Sequence, residues 1–395
     1  MRHPFRRLLL AACVLAACDQ VVHYSVLSDG WLMGRRIAPF EPPLFCEAQQ
    51  KAQEHYLLHA TTGRPRQEEF RFDAQLGWAP IPGVPSGPMH FDWAGCRMGP
   101  AELAREKRAG VRRLMTIGCS FTLGEEVADD EAWPHRLDAA HDDVEVANLA
   151  MGAYGLDQAL LRLRRDGLQL APDEIWLGWL PAASLRVVTL YRPAQRHWSG
   201  PTLFKPRFRL NDDGSLLQVP NPATSIAHTA KLISRQDEFY AATWKHDMWV
   251  SRAERAYRAF GSSLLHRSAL TRLYLTAMER GRRDAAEWVL DEDSEVHQLV
   301  RALVLETARE ARGIDARFKL LVLPGRDDLA DRIERGAPYW AAVCADFEEA
   351  GIEVVDLSDA LLAAGALESD EYWMGGGHYS ALGNRVVAQT LEAEL

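Results

Sequence analysis

The chain has 395 residues, 47% of them hydrophobic and 25% charged, a globular composition with apolar material for a large core. Its formal charge is −10, from 45 basic and 55 acidic residues, which argues against a nucleic-acid partner. No GxxxxGK[ST] phosphate loop, CxxC pair or HExxH stretch occurs, so neither a nucleotide cofactor nor a common zinc site is expected.

In chain order, the N-terminus comes first. Arg2, Arg6 and Arg7 make a basic start, and Leu8 to Ala17 is an apolar run shorter than the roughly 20 residues of a spanning helix. It ends in Leu15-Ala16-Ala17-Cys18, which resembles the lipobox of bacterial lipoproteins. That resemblance implies a signal peptide over 1–17 and a lipid on Cys18 that anchors the mature protein to a membrane. The expected location is the bacterial cell envelope, facing the periplasm. A plain secretory signal, or an uncleaved anchor extended through Val21 and Val22, is the alternative. Export permits disulfides, and Cys46 with Cys96 is the natural pair to weigh against two buried thiols.

Residues 18–105 are rich in Pro and Gly and read as a loop-rich N-terminal extension with short strands, one near Glu69–Phe72. From Val111 the pattern changes. "VRRLMTIG" is an apolar strand, "EAWPHRLDAAH" a helix, "DVEVANLA" a second strand, "LDQALLRLRRDGL" a helix and "DEIWLGWL" a third strand. After an insertion at about 181–316 come "RFKLLVLPG", a helix in "APYWAAVCADFEEAG", the strand "IEVVDLS", and a last helix for which Ser380 is a suitable N-cap. Within the insertion, "KPRFRLNDDGSLLQV" reads as a hairpin turning at Asp213-Gly214, followed by amphipathic helices. Alternating strands and helices predict an α/β fold over 106–395, a three-layer, doubly wound parallel sheet.

In such sheets ligands bind beyond the carboxyl ends of the strands. Gly118-Cys119-Ser120 follows the first strand, "NLAMGAYGLDQ" the second, and His378 precedes the last helix, so a hydroxyl, a Gly-containing turn and an imidazole are expected on one rim. These blocks, Gly118 to Gly124, Asn148 to Gln158, and His378-Tyr379-Ser380 with Gly383-Asn384, resemble those of SGNH (GDSL-type) hydrolases, over about 111–180 and 318–395. Gln75-Leu76-Gly77-Trp78 and the "KPRFRL" hairpin resemble exported bacterial members.

The resemblance implies a flavodoxin-like sheet and a serine-dependent acyl ester hydrolase or acetylesterase acting on an acyl ester or acetylated glycan. Ser120 would be nucleophile and His378 base. The N–H groups of Ser120, Gly152 and Ala153 would form the oxyanion hole, and no metal would be needed. Three positions depart from the family pattern. Cys119 stands where an Asp is usual, no Asn follows the third strand, and Gly375 and Gly376 occupy the positions of the triad acid. Asp370 or Glu371 is the candidate replacement for that acid. The run Glu125, Glu126, Asp129, Asp130, Glu131 reads as a solvated helix start. An O-acetyltransferase on an envelope polysaccharide, or a degenerate hydrolase that only binds a glycan or protein, are the rival readings.

Overall fold

A computed structural model describes residues 3–25, 31–32, 35–36, 70–84, 87–195, 201–252, 268–274 and 285–395. The chain divides into two compact units. One comprises 64–190, 203–225 and 285–395, the other 1–63, 191–202 and 226–284.

The first unit is built on five parallel strands: β1 (Arg112–Gly118), β2 (Val144–Asn148), β3 (Glu174–Trp179), β4 (Arg317–Val322) and β5 (Glu353–Asp356). Their order in the sheet is β5-β4-β3-β1-β2, and all neighbours run parallel. β1, β2 and β3 are buried along nearly their whole length, as a sheet covered on both faces requires. On one face pack helices α3 (Leu156–Arg162), α4 (Glu295–Gly313) and α6 (Ala341–Glu349). On the other lie α2 (Trp133–Ala140), α7 (Ser358–Ala363) and α8 (Ala381–Leu391), over a core of Leu114, Trp133, Val146, Trp176, Leu321 and Val387. The Trp133 and Trp176 rings stack there, 6.4 Å apart. This is the three-layer, doubly wound α/β sheet, and the strand order reverses between β1 and β3.

Two boundaries differ from those the sequence suggests. Residues 64–105 belong to the sheet unit, and so do the hairpin Arg207–Leu210/Leu216–Val219 and α4, the crossover helix between β3 and β4. What the sheet unit excludes of 181–316 is only 191–202 and 226–284. A helix α5 (Arg326–Arg335) follows β4.

The other unit holds an N-terminal helix, His3–Ser25, longer than the apolar run alone implies. Over Arg6–Ser25 it is long and apolar enough to cross a membrane, a test that a signal sequence also passes. Cys18 is exposed on it, and Asp19 accepts hydrogen bonds from Ser268 Oγ at 2.8 Å and Leu270 N at 2.9 Å. Cys96, in the sheet unit, is a buried free thiol; Cys46 lies outside the described residues.

Candidate active site

Strand β1 ends at Gly118, and its register puts Gly118 beside Gly178 of β3. A Cβ on either glycine would collide with the Thr122 side chain, so the pair lets a helical turn settle on the strand ends. That turn, α1 (Ser120–Leu123), starts from extended Cys119 and closes at Gly124, whose left-handed φ of 76° lets its N–H reach Ser120 O. Ser120 therefore begins the turn at the switch point of the sheet. Cys119 points instead into the hydrophobic core with Phe121 and Leu180, where a thiol acts as a small apolar side chain.

His378 stands before α8, which Ser380 caps by accepting from Leu382 N and Gly383 N. A tight turn presents it: Met374 N donates to His378 O at 2.7 Å, and Gly377 takes φ 90°. The His378 ring lies 5.3 Å from the ring of Phe121, the residue next to Ser120. The two loops thus meet on one rim.

The acid on His378 is Glu126. Its Oε2 lies 2.6 Å from His378 Nδ1, and its Oε1 accepts from Gly376 N at 2.9 Å. Partial burial pushes the Glu126 pKa up, but these hydrogen bonds more than offset it and hold it below the ordinary glutamate value. Glu126 therefore meets the imidazole as a carboxylate, which fixes the Nδ1–H tautomer and leaves Nε2 as the basic nitrogen. Neither expected replacement does this. Asp370 pairs with Arg326, and Glu371 lies in the same exposed 3₁₀ turn. Nor is the acidic run merely a solvated helix start. Glu126 is at φ 74°, an unfavourable conformation for a glutamate, and the fold holds it there. Glu125 Oε2 lies 3.9 Å from His378 Nε2, on the imidazole's other side.

The second rim segment is equally constrained. Ala153 takes φ 61°, a glycine-like conformation. Trp78 Nε1 donates to Gly152 O at 2.9 Å, Tyr154 OH to Trp78 O at 2.6 Å, and Gln158 Nε2 to Leu76 O at 2.7 Å. Among the described residues, the N–H groups of Ser120, Gly152 and Ala153 are bonded to no protein acceptor. Asn148 is structural, donating to Thr122 O at 3.2 Å and accepting from Ala150 N. After β3, Ser184 Oγ donates its proton to Pro181 O at 2.7 Å, so that hydroxyl is not an oxyanion donor. Asn384 donates to Tyr379 O and Ser380 O and caps Trp133 N. Among the described residues, no group of three or more His, Cys, Asp or Glu side chains is arranged to hold a metal.

No family model matches the chain, and no curated protein matches it. Solved structures of similar fold are GDSL-type hydrolases and esterases. A member of the lipolytic protein G-D-S-L family from Veillonella parvula DSM 2008 is 13% identical at a TM-score of 0.34, over 71% of this chain and 96% of that one. An acetylxylan esterase from Geobacillus stearothermophilus, in a catalytic mutant, is 12% identical at 0.37, over 73% and 96%. The lipase/acylhydrolase from Enterococcus faecalis is 13% identical at 0.33, over 72% and 97%. Likeness at this level assigns no chemistry, which must come from the residues of the rim.

Proposed function

We propose that the protein is a serine-dependent acyl ester hydrolase, with Ser120 as nucleophile, His378 as base and Glu126 as the acid that orients it. The observation that carries this reading is the Glu126 carboxylate on His378 Nδ1, beside the turn that opens with Ser120. Ser120 Oγ attacks the acyl carbonyl and passes its proton to His378 Nε2. The imidazolium that results is stabilised by Glu126 across the 2.6 Å hydrogen bond. The carbonyl oxygen, now anionic, accepts from the N–H groups of Ser120 and Ala153, with Gly152 adjacent. Each such donor is worth about 10²–10³ in rate. His378 returns the proton to the leaving alcohol, and water then cleaves the acyl–Ser120 ester by the same steps. The reading as a degenerate binding protein rested on a missing acid and on a missing Asn after the third strand. Glu126 on His378 Nδ1 supports the enzyme reading on the first point, and the oxyanion hole proposed here uses backbone N–H groups in place of the second.

The substrate we propose is an acyl ester or acetylated glycan of the cell envelope, reached from a membrane anchor through lipid on Cys18. The Leu15-Ala16-Ala17-Cys18 sequence and the exposed Cys18 on an apolar helix support the anchor. Labelling of the detergent-solubilised full chain with a fluorophosphonate probe tests the chemistry. The wild type should be labelled and should hydrolyse an aryl acetate, and Ser120→Ala should do neither. Equal labelling of the two proteins, or none of the wild type, defeats the proposal.

A further inference from the structure

Glu126 sits in a left-handed conformation, in a turn that regular secondary structure does not hold. Something else must fix it. The side chain best placed is Arg97, from the segment that precedes the sheet, and it is 1% exposed. Its guanidinium donates to three backbone carbonyls of the turn: Leu123 O at 2.7 Å, Gly124 O, and Val127 O at 2.6 Å. Its Nε donates to Asp129 Oδ1 at 3.1 Å. The acceptors lie on both sides of Glu125-Glu126, so one planar fork spans the base of the turn that projects the acid. Arg97 is itself fixed, because its N–H donates to Asn148 O at 2.8 Å at the end of β2.

We propose that Arg97 is the positioning residue for Glu126, setting the distance between that carboxylate and His378 Nδ1. The effect on turnover rests on the esterase reading above; the effect on the Glu126–His378 hydrogen bond does not. A fork of several donors in fixed directions is what distinguishes arginine from lysine, whose ammonium is a point charge on a flexible stem. Lysine at 97 keeps the charge and loses the simultaneous grip on three carbonyls. Of the charged groups around the imidazole, Glu126 and Glu125 both ride on this turn, and Asp129 holds Arg97 from its far end.

The experiment uses the full chain and two readouts. The first is the low-field proton resonance of His378 Nδ1–H, assigned by its loss in Glu126→Gln. The second is the rate at which Ser120 is labelled by a fluorophosphonate, with kcat and KM for an aryl acetate. Arg97→Lys should lose or broaden the resonance. It should slow labelling and lower kcat by about tenfold or more, with KM changed by less than about threefold, as misorientation of a triad imidazole does. Adding Arg97→Lys to Glu126→Gln should cost little beyond Glu126→Gln alone, because both disable the same contact. If Arg97→Lys does not fold, Asp129→Asn, which loosens the same guanidinium from the exposed side, should weaken the resonance and slow labelling in the same direction. A resonance unchanged in the folded variant overturns the proposal, as do independent, additive losses in the double variant. Failure of the wild type to label would instead defeat the esterase reading, and the resonance would still decide the role of Arg97.

Discussion

Gly376 has no side chain, and a Cβ built there would lie 2.7 Å from the Glu126 carboxyl carbon. It is one of the two positions, with Gly375, from which the resembled family pattern would supply an Asp, so in the proposed triad the acid and the glycine have changed places across the rim. A carboxylate delivered from the first loop needs the space an Asp side chain would fill, and it uses the Gly376 N–H as its second donor. Glu126→Gln should lower kcat by about 10³–10⁴, because the amide no longer stabilises the imidazolium or selects the right tautomer. The double variant Glu126→Gly/Gly376→Asp should recover at least about tenfold of that loss. Glycine suits the φ of 74° at 126, and its removal of the carboxylate opens the space at 376. Aryl-acetate kinetics on the two single variants and the double decides it; a double no better than Glu126→Gln would mean that the two positions are not interchangeable. The nucleophile, base and oxyanion-loop candidates were legible because each follows a strand in a recognisable block. The acid was not, because in one dimension Glu125-Glu126 looks like any charged helix start. The vacant Gly375-Gly376 was the available signal that an acid had to come from elsewhere.

At the scale of elements, the five parallel strands were readable as apolar runs, and their alternation with helices fixed the layer order. Helix α5 was not readable. Its apolar stripe is only Leu329, Ala330 and Ile333, and the other seven residues are charged, so the segment reads as a polar connection. Nor did the sequence reveal that the N-terminal extension belongs to the site. Trp78 donates to one backbone carbonyl and Arg97 to three, all more than 25 residues away, and such contacts leave no periodicity. The join between β1, β3 and α1 carries its own prediction. Thr122 fills the space left by the missing Cβ atoms of Gly118 and Gly178, and the next neighbour of a Cβ at 178 would be Leu323 Cδ1 at 2.9 Å. Gly178→Ala should cost about 1–3 kcal/mol through overpacking. Combining it with Thr122→Ala should cost less than the sum of the two single changes, since the second makes room for the first. Urea unfolding of the three variants checks this, and strict additivity would place the strain elsewhere.

Across the whole molecule, buried titratable groups pull the response to acid in opposite directions. His135 is fully buried, with Nδ1 2.9 Å from Asp129 O. Burial, and then the nearby Arg97 charge, push its pKa down to about 4. Asp138 and Asp328 are pushed up to about 6 by burial, although Tyr339 OH and Gly325 N both donate to Asp328. The signs follow from proton uptake. Between about pH 6.5 and 4 the unfolded chain protonates His135 and the native state does not, so this residue withdraws stability as the pH falls. Over about pH 6 to 3.8 the native state holds protons on Asp138 and Asp328 that the unfolded chain has released, so these residues add stability as the pH falls and lose it as the pH rises through 6. For His135 the depression corresponds to about 3 kcal/mol over the interval. His135→Gln should therefore be more destabilised relative to wild type at pH 7 than at pH 4, by about that amount. Asp328→Asn should show the opposite trend, its deficit being larger at pH 4 than at pH 7. Urea unfolding of wild type and both variants at pH 7, 5.5 and 4 provides the comparison. Two variants that share the wild-type slope would mean that neither group changes its protonation on folding as its burial requires.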